Sequence, residues 1–138
     1  MIIREIRVQT YIMKYYSLNH NAPKVSFQEA VIQGLAPDRG LYFPERITPI
    51  AGDFFQNIEN YSNEEIAFQV IQQFVGNEIS ESALKQIIAE TLCFDFPTVK
   101  VEENIYALEL YHGPTMAFKD VGARFTTPQK VPQYVSGK

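Results

Sequence analysis

The chain of 138 residues has a single cysteine, two histidines and no long apolar run. Cys93 cannot form a disulfide within the chain, and so few Cys and His side chains do not provide the clustered ligands of a zinc site. We therefore expect no metal and a reducing, cytoplasmic setting. No apolar stretch approaches the ~18 residues needed to span a bilayer, so the sequence predicts no membrane segment.

Positive charge is also scarce. Twelve Lys and Arg against sixteen Asp and Glu give a net charge of −4, which argues against a general attraction to nucleic acid. The composition is otherwise ordinary, with 46% hydrophobic and 20% charged residues. It therefore excludes a disordered or fibrous protein and predicts a folded domain with a core.

Three serines mark the starts of helices. Ser26 and Ser62 are each followed three residues later by Glu, which is the capping-box pattern. Gly34 and Gly76 are placed to end these two helices. Ser80 predicts the start of another helix, which should form an αα-hairpin with the one that ends at Gly76.

The pattern becomes β-like after residue 97. Val99 and Val101 alternate with charged residues, Asn104 predicts a turn, and residues 105–111 have the apolar character of a strand. Helices and strands together predict an α/β fold, α+β in character over the length available.

A lysine follows this strand and a short loop. Thr115 predicts the N-cap of a helix, with Lys119 in its first turn and half-buried beside Phe118 and Phe125. The helix dipole disfavours an ammonium ion there, and Schiff-base chemistry requires the neutral amine. By itself this position is weakly diagnostic, since most lysines in a first turn are solvated surface residues.

Two long motifs give this lysine a chemical context, because both resemble threonine synthases, which are pyridoxal-phosphate (PLP) enzymes of fold type II. The resemblance runs from about Met13 to Phe125. The upstream motif consists of Asn19-His20-Asn21, Val25-Ser26-Phe27-Gln28-Glu29-Ala30-Val31 and Gln33-Gly34-Leu35-Ala36-Pro37-Asp38-Arg39-Gly40-Leu41-Tyr42-Phe43-Pro44. The lysine motif is Leu108-Glu109-Leu110-Tyr111-His112-Gly113-Pro114-Thr115-Met116-Ala117-Phe118-Lys119-Asp120-Val121-Gly122-Ala123-Arg124-Phe125.

The resemblance implies a carbon–oxygen lyase acting on phosphate, which converts O-phospho-L-homoserine and water to L-threonine and phosphate. It implies that Lys119 carries PLP as a Schiff base and later transfers protons. Asp120 is a candidate for orienting Lys119 or the substrate, or an ordinary helix residue. His112 is a candidate hydrogen-bond donor near the cofactor, or makes a structural bond. Arg124 either meets an anionic group or pairs with a surface acid.

The motifs predict a division of the chain. We expect residues 1–12 to be a non-native or mis-started leader, with Met13 as the native start. Residues 13–104 should form the N-terminal domain of the family, and residues 105–125 the first strand and helix of its PLP domain. Residues 126–138 depart from the family pattern, and Pro128 should stop the helix, leaving a flexible tail.

On this division the chain lacks the family's phosphate-binding loop, the partner of the pyridine nitrogen and most of the substrate pocket. We therefore expect it to be inactive alone, and to self-associate through exposed apolar surface. Three interpretations remain open. The first is a truncated or frame-shifted threonine synthase, with residues 126–138 as out-of-frame translation or an expression scar. The second is a non-catalytic interaction module that pairs with a full-length relative or a separate C-terminal chain. The third is another fold-type-II PLP enzyme, such as a threonine dehydratase or cysteine synthase relative.

Overall fold

The computed structural model describes residues 12–129. Of the expected leader at residues 1–12 and the expected tail at residues 126–138, residues 1–11 and 130–138 lie outside this range. The elements are β1 (Tyr15–Ser17), α1 (Phe27–Gln33), β2 (Tyr42–Pro44), α2 (Gly52–Gln56), a 3₁₀ turn (Ile58–Asn60), α3 (Asn63–Val75), α4 (Glu81–Thr91), β3 (Thr98–Glu102), β4 (Ile105–Leu108) and α5 (Asp120–Gln129).

The predicted helix starts are confirmed. Ser26, Ser62 and Ser80 each accept a hydrogen bond from the backbone N–H three residues further on. At Ser26 and Ser62, the residue in that third position is Glu, and its carboxylate accepts a hydrogen bond from the serine N–H. This second bond completes the capping box. Gly34 and Gly76 follow α1 and α3 with φ of +73° and +58°, in the positive region that favours glycine.

The main core lies in the αα-hairpin of α3 and α4, as the sequence predicts. Its buried side chains come from the end of α3, the connecting turn and one face of α4, and Phe125 of α5 packs against them. These buried residues are Val75, Ile79, Leu84, Ile87 and Ile88. Burial of these five aliphatic side chains in one cluster stabilises the hairpin.

A smaller apolar cluster surrounds the antiparallel pair β1–β2 and α1. It contains Met13, Tyr15, Val25 and Ala30. The hydroxyl of Tyr15 donates a 2.7 Å hydrogen bond to the carbonyl oxygen of Phe74 in α3. Burial raises the pKa of Tyr15 to about 12, so this hydroxyl stays protonated and joins the small sheet to the helical hairpin.

Strands β3 and β4 form a separate antiparallel hairpin, with Thr98 opposite Leu108. Asn104 makes the predicted turn at a φ of +61°. The second strand ends at Leu108, whereas the sequence predicts a strand to Tyr111. The N–H of Glu109 donates one more hydrogen bond, to the Pro97 carbonyl, after the last paired residue of the strand. Every residue of both strands is exposed, which the apolar pattern does not predict.

Mixed helices with two small antiparallel sheets confirm the α/β class, α+β in character over this length. In the part of the chain described, no helix combines the length and apolarity needed to cross a membrane. Nor do three His, Cys, Asp or Glu side chains between residues 12 and 129 lie together as a metal site.

Glu78, in the turn between α3 and α4, caps a helix distant in sequence. Its two carboxylate oxygens accept hydrogen bonds from the backbone N–H groups of Phe27 and Gln28, at 2.9 and 3.0 Å. These groups open α1 and have no partner within that helix. The carboxylate also lies at the positive end of the helix dipole, so it couples α1 to the hairpin.

We predict that Glu78→Gln lowers the free energy of unfolding by about 1–2 kcal/mol, because one of the two charge-assisted bonds is lost. Urea titration followed by circular dichroism measures this. Glu81→Gln is the matched control, since Glu81 makes only an exposed ion pair with Lys85 and should change stability by less than about 0.5 kcal/mol. Equal effects of the two substitutions would contradict a capping role for Glu78.

Candidate active site

The lysine segment crosses from β4 to α5, but its helix begins later than expected. Thr115 is not the N-cap, because its N–H and its hydroxyl both donate to the carboxylate of Asp120. Residues 113–119 therefore form a loop of turns, and α5 begins at Asp120. The prediction of a helix opening at Thr115 is wrong, because the Thr115 hydroxyl is turned towards Asp120 as a donor and does not accept a bond from the backbone N–H groups that follow it.

Lys119 consequently lies one residue ahead of α5 and not in its first turn. Its carbonyl oxygen accepts the 2.9 Å bond from Ala123 N, which starts the helix. The side chain is exposed, and within residues 12–129 its amine has no hydrogen bond or ion pair. The predicted burial beside Phe118 and Phe125 is wrong, because Phe118 is 65% exposed and Phe125 faces the α3–α4 core.

Asp120 is buried, with only 6% of its surface exposed. Its carboxylate accepts a 2.9 Å bond from Thr115 N and a second bond from the Thr115 hydroxyl. The hydroxyl bond, followed by the backbone bond, holds the pKa of Asp120 below its ordinary value of 3.8. Asp120 is therefore a charged carboxylate that binds the loop preceding it in the chain.

His112 is held by an acid that the sequence analysis did not single out. Its Nε2 lies 2.7 Å from Oε2 of Glu109, and its ring stacks on Tyr111 with centroids 4.7 Å apart. The hydrogen bond with His112 lowers the pKa of the Glu109 carboxyl, and the hydrogen bond with Glu109 raises the pKa of Tyr111. The spacing of three residues between Glu109 and His112 is the sequence signal that could have indicated this pair.

Arg124 makes a contact that the sequence does not predict. Its Nε donates a 3.1 Å hydrogen bond to the carbonyl oxygen of Glu90, close to the end of α4. A cation is favoured there, because the last carbonyls of a helix are unpaired and carry partial negative charge. Arg124 thus fastens the helix that follows Lys119 to the α3–α4 hairpin, together with Phe125.

The helix also continues past the expected stop. α5 runs to Gln129, so the prediction that it ends after Phe125 and gives way to a tail at Thr126 is wrong. The hydroxyl of Thr126 donates to the Gly122 carbonyl at 2.9 Å within the helix. Pro128 lacks a backbone N–H, so it cannot donate to the carbonyl oxygen four residues before it.

A groove of about 890 Å³ lies elsewhere, between residues 46–61 and the helices α3 and α4. Arg46, Asp53 and three glutamines of α3 contribute its polar wall. No residue of the lysine segment lines it. The groove and the lysine segment are therefore separate features of the molecule.

Comparison with known proteins assigns the family. Residues 14–92 match the family described as the threonine synthase N terminus. The chain is 40% identical to threonine synthase of Haemophilus influenzae and 34% identical to that of Escherichia coli K12, over 113 residues in each case. Each match covers 82% of this chain and 26% of the relative, so the chain spans about a quarter of the length of these relatives.

Two solved structures have the same fold over the same part. A PLP-bound threonine synthase from Brucella melitensis superposes with a TM-score of 0.78 at 34% identity, covering 83% of this chain and 26% of that one. Threonine synthase from Escherichia coli superposes with a TM-score of 0.77, covering 84% and 27%. The chain belongs to the threonine synthase family. This membership favours a threonine synthase over a different fold-type-II PLP enzyme.

We predict that the contact between Asp120 and Thr115 is lost in acid. A carboxyl with a lowered pKa in the folded state stabilises that state above its ordinary pKa of 3.8, and the contribution disappears as the pH falls through the lower folded value. The nuclear magnetic resonance shift of the Thr115 amide should report this titration.

In Thr115→Val the hydroxyl bond is absent, so the midpoint should move up towards 3.8. In Asp120→Asn the transition should vanish. An unchanged midpoint in Thr115→Val would show that the hydroxyl does not set the pKa of Asp120.

Proposed function

We propose that this chain is the amino-terminal part of a cytoplasmic threonine synthase, which converts O-phospho-L-homoserine and water to L-threonine and phosphate. The observation that carries the proposal is the exposed amine of Lys119, without a partner among residues 12–129 and directly before α5. The motif around it and a threonine synthase that is 40% identical to this chain support the same reaction. Residues 13–104 would form the N-terminal domain, and residues 105–125 the first part of the PLP domain.

Lys119 is the residue that would hold PLP, through a covalent bond from Nζ to the aldehyde carbon. An exposed amine without a partner fits this role, because it does not have to leave an ion pair before it reacts. The relative from Brucella melitensis was solved with PLP bound. When bound, PLP delocalises the electron pair that remains after the substrate loses its α-proton.

The residues near Lys119 would support this chemistry in different ways. Once displaced by the substrate amine, the Lys119 amine would accept and return protons as a positioned base and acid. Glu109 holds Nε2 of His112, which leaves Nδ1 for a ligand. Arg124 uses Nε for the Glu90 carbonyl, which leaves its two terminal nitrogens for an anionic group. Asp120 would orient the loop that carries Lys119.

We further propose that the chain is inactive by itself. A lysine in contact with solvent can form and lose an imine reversibly, but catalysis requires an oriented substrate in a site closed to water. The phosphate-binding loop and the partner of the pyridine nitrogen, which the family resemblance implies, would come from the remaining three quarters of a threonine synthase.

The proposal is tested by trapping PLP on the protein with borohydride and mapping the labelled peptides. Labelling at residue 119 should be lost in Lys119→Ala and retained in Lys100→Ala, a control that removes another exposed lysine. The purified chain should form no threonine from O-phospho-L-homoserine above a control that contains PLP alone.

Two results would contradict these proposals. A PLP adduct that persists elsewhere at full yield in Lys119→Ala would overturn the assignment of Lys119. Threonine formation by the purified chain above the PLP control would overturn its inactivity.

A second candidate function is that of a non-catalytic interaction module, and the β3–β4 hairpin favours it. Both faces of this hairpin are exposed, and four of its apolar side chains are more than half exposed: Val101, Ile105, Tyr106 and Leu108. A two-stranded sheet is marginally stable by itself, and unpaired edges invite pairing with another chain. Such a module would pair with a full-length relative, a separate C-terminal chain or a second copy.

Self-association follows from this exposed apolar surface and can be measured by light scattering. The purified chain should have a mean mass above that of one chain, and Val101→Lys combined with Leu108→Lys should reduce it to the mass of a monomer. Phe55→Lys is the matched control, because Phe55 is 57% exposed, similar to Val101 and Leu108, but lies on α2 and not on the hairpin. A monomeric wild-type chain would count against the hairpin as a contact surface.

A further inference from the structure

The loop that carries Lys119 is closed by one buried carboxylate. Asp120 binds both donors of Thr115, five residues before it. Two backbone bonds tighten the same loop, from Met116 N to the Gly113 carbonyl and from Asp120 N to the Ala117 carbonyl, at 3.0 and 3.1 Å. The path from residue 113 to residue 120 is therefore fixed by its own hydrogen bonds.

Gly113 completes this arrangement because it lies directly against Asp120. A Cβ added at residue 113 would lie 2.9 Å from Cβ and 3.0 Å from Cγ of Asp120, closer than side chains approach one another. Any other residue would therefore push the carboxylate out of its place. We refer to Gly113, Thr115 and Asp120 as the Asp120 clamp.

Lys119 is held from both sides of its own backbone. On one side the Asp120 clamp fixes the loop that leads to it, and on the other its carbonyl accepts the first bond of α5 from Ala123. Arg124 and Phe125 in turn fix α5 on the α3–α4 hairpin. The amine alone is left free within the described part of the chain.

We propose that Asp120 is a positioning residue which, through the clamp, fixes the backbone at Lys119 and so directs the lysine amine towards the cofactor; this inference rests on the proposed function. A simpler role for Asp120 is to stabilise the start of α5 by its charge. The two roles differ at Gly113, because helix stabilisation by charge does not require a close approach between residues 113 and 120.

The test compares two Gly→Ala variants of the full chain. Gly113→Ala forces Asp120 out of position, whereas Gly122→Ala places a methyl group in open space on α5 and serves as the matched control. Asp120→Asn removes the charge with little change in shape. Thr115→Ser, which keeps the hydroxyl, should behave as wild type and Thr115→Val should not.

Two readouts follow each variant. The first is the amount of PLP trapped by borohydride at Lys119 relative to Lys100, an exposed lysine in the same molecule that serves as an internal reference. In wild type and Gly122→Ala, Lys119 should exceed Lys100 by roughly tenfold, and in Gly113→Ala and Asp120→Asn the ratio should fall to about one. The second is amide hydrogen exchange at residues 115–119, which should accelerate in Gly113→Ala, Asp120→Asn and Thr115→Val but not in Gly122→Ala or Thr115→Ser.

The outcomes separate the two proposals. If wild-type Lys119 shows no preference over Lys100, the proposed function fails. If wild type shows the preference and Gly113→Ala keeps it, or if exchange in the loop is unchanged in Gly113→Ala, the positioning role fails while the proposed function stands. A global loss of folding would raise exchange throughout α3 and α4 as well, so it is recognised by the same measurement.

Discussion

The packing of α3 against α4 is the contact on which the placement of α1, the β1–β2 sheet and α5 depends. The hairpin buries five aliphatic side chains, and each remaining helix or sheet that joins it does so at a different point. Glu78 in its turn caps α1, the Phe74 carbonyl in α3 receives the Tyr15 hydroxyl, and the Glu90 carbonyl in α4 receives Arg124. Loosening the hairpin would therefore release three separate attachments at once.

This arrangement explains how Lys119 can be exposed without being loosely held. α5 is fixed to the hairpin by Arg124 and Phe125, so its first residue has a defined position. The Lys119 carbonyl oxygen accepts the first hydrogen bond of that helix, so the position of the helix also fixes the backbone of Lys119. The side chain itself makes no hydrogen bond or ion pair between residues 12 and 129, which keeps the amine accessible. Rigidity of the backbone and freedom of the amine thus come from different contacts.

The features predicted correctly from the sequence are those set by local chemistry. The capping boxes at Ser26 and Ser62 and the turn at Asn104 depend on residues within three or four positions of one another. The start of α5 was missed because the Thr115 hydroxyl can either accept a bond as a helix cap or donate one to a side chain, and the buried carboxylate of Asp120 takes it as a donor. The contact of Arg124 was missed because Glu90 lies 34 residues earlier, and only the packing of α5 on α4 brings them together.

The β3–β4 hairpin and Lys119 are alike in what they expose to solvent. The hairpin exposes apolar side chains that packing would bury, and Lys119 exposes an amine that catalysis would shield from water. An apolar strand such as β4 gains little from folding unless its side chains are buried, and a lysine gains no catalytic power unless water is excluded around it. A surface that covered the hairpin while leaving the loop of residues 113–119 as one wall of a closed cavity would satisfy both requirements. Within residues 12–129 the loop already has its shape, through the Asp120 clamp, before any such surface is added. On the proposed function, the site would therefore be assembled around a lysine whose backbone is already fixed by the hydrogen bonds of residues 113–123.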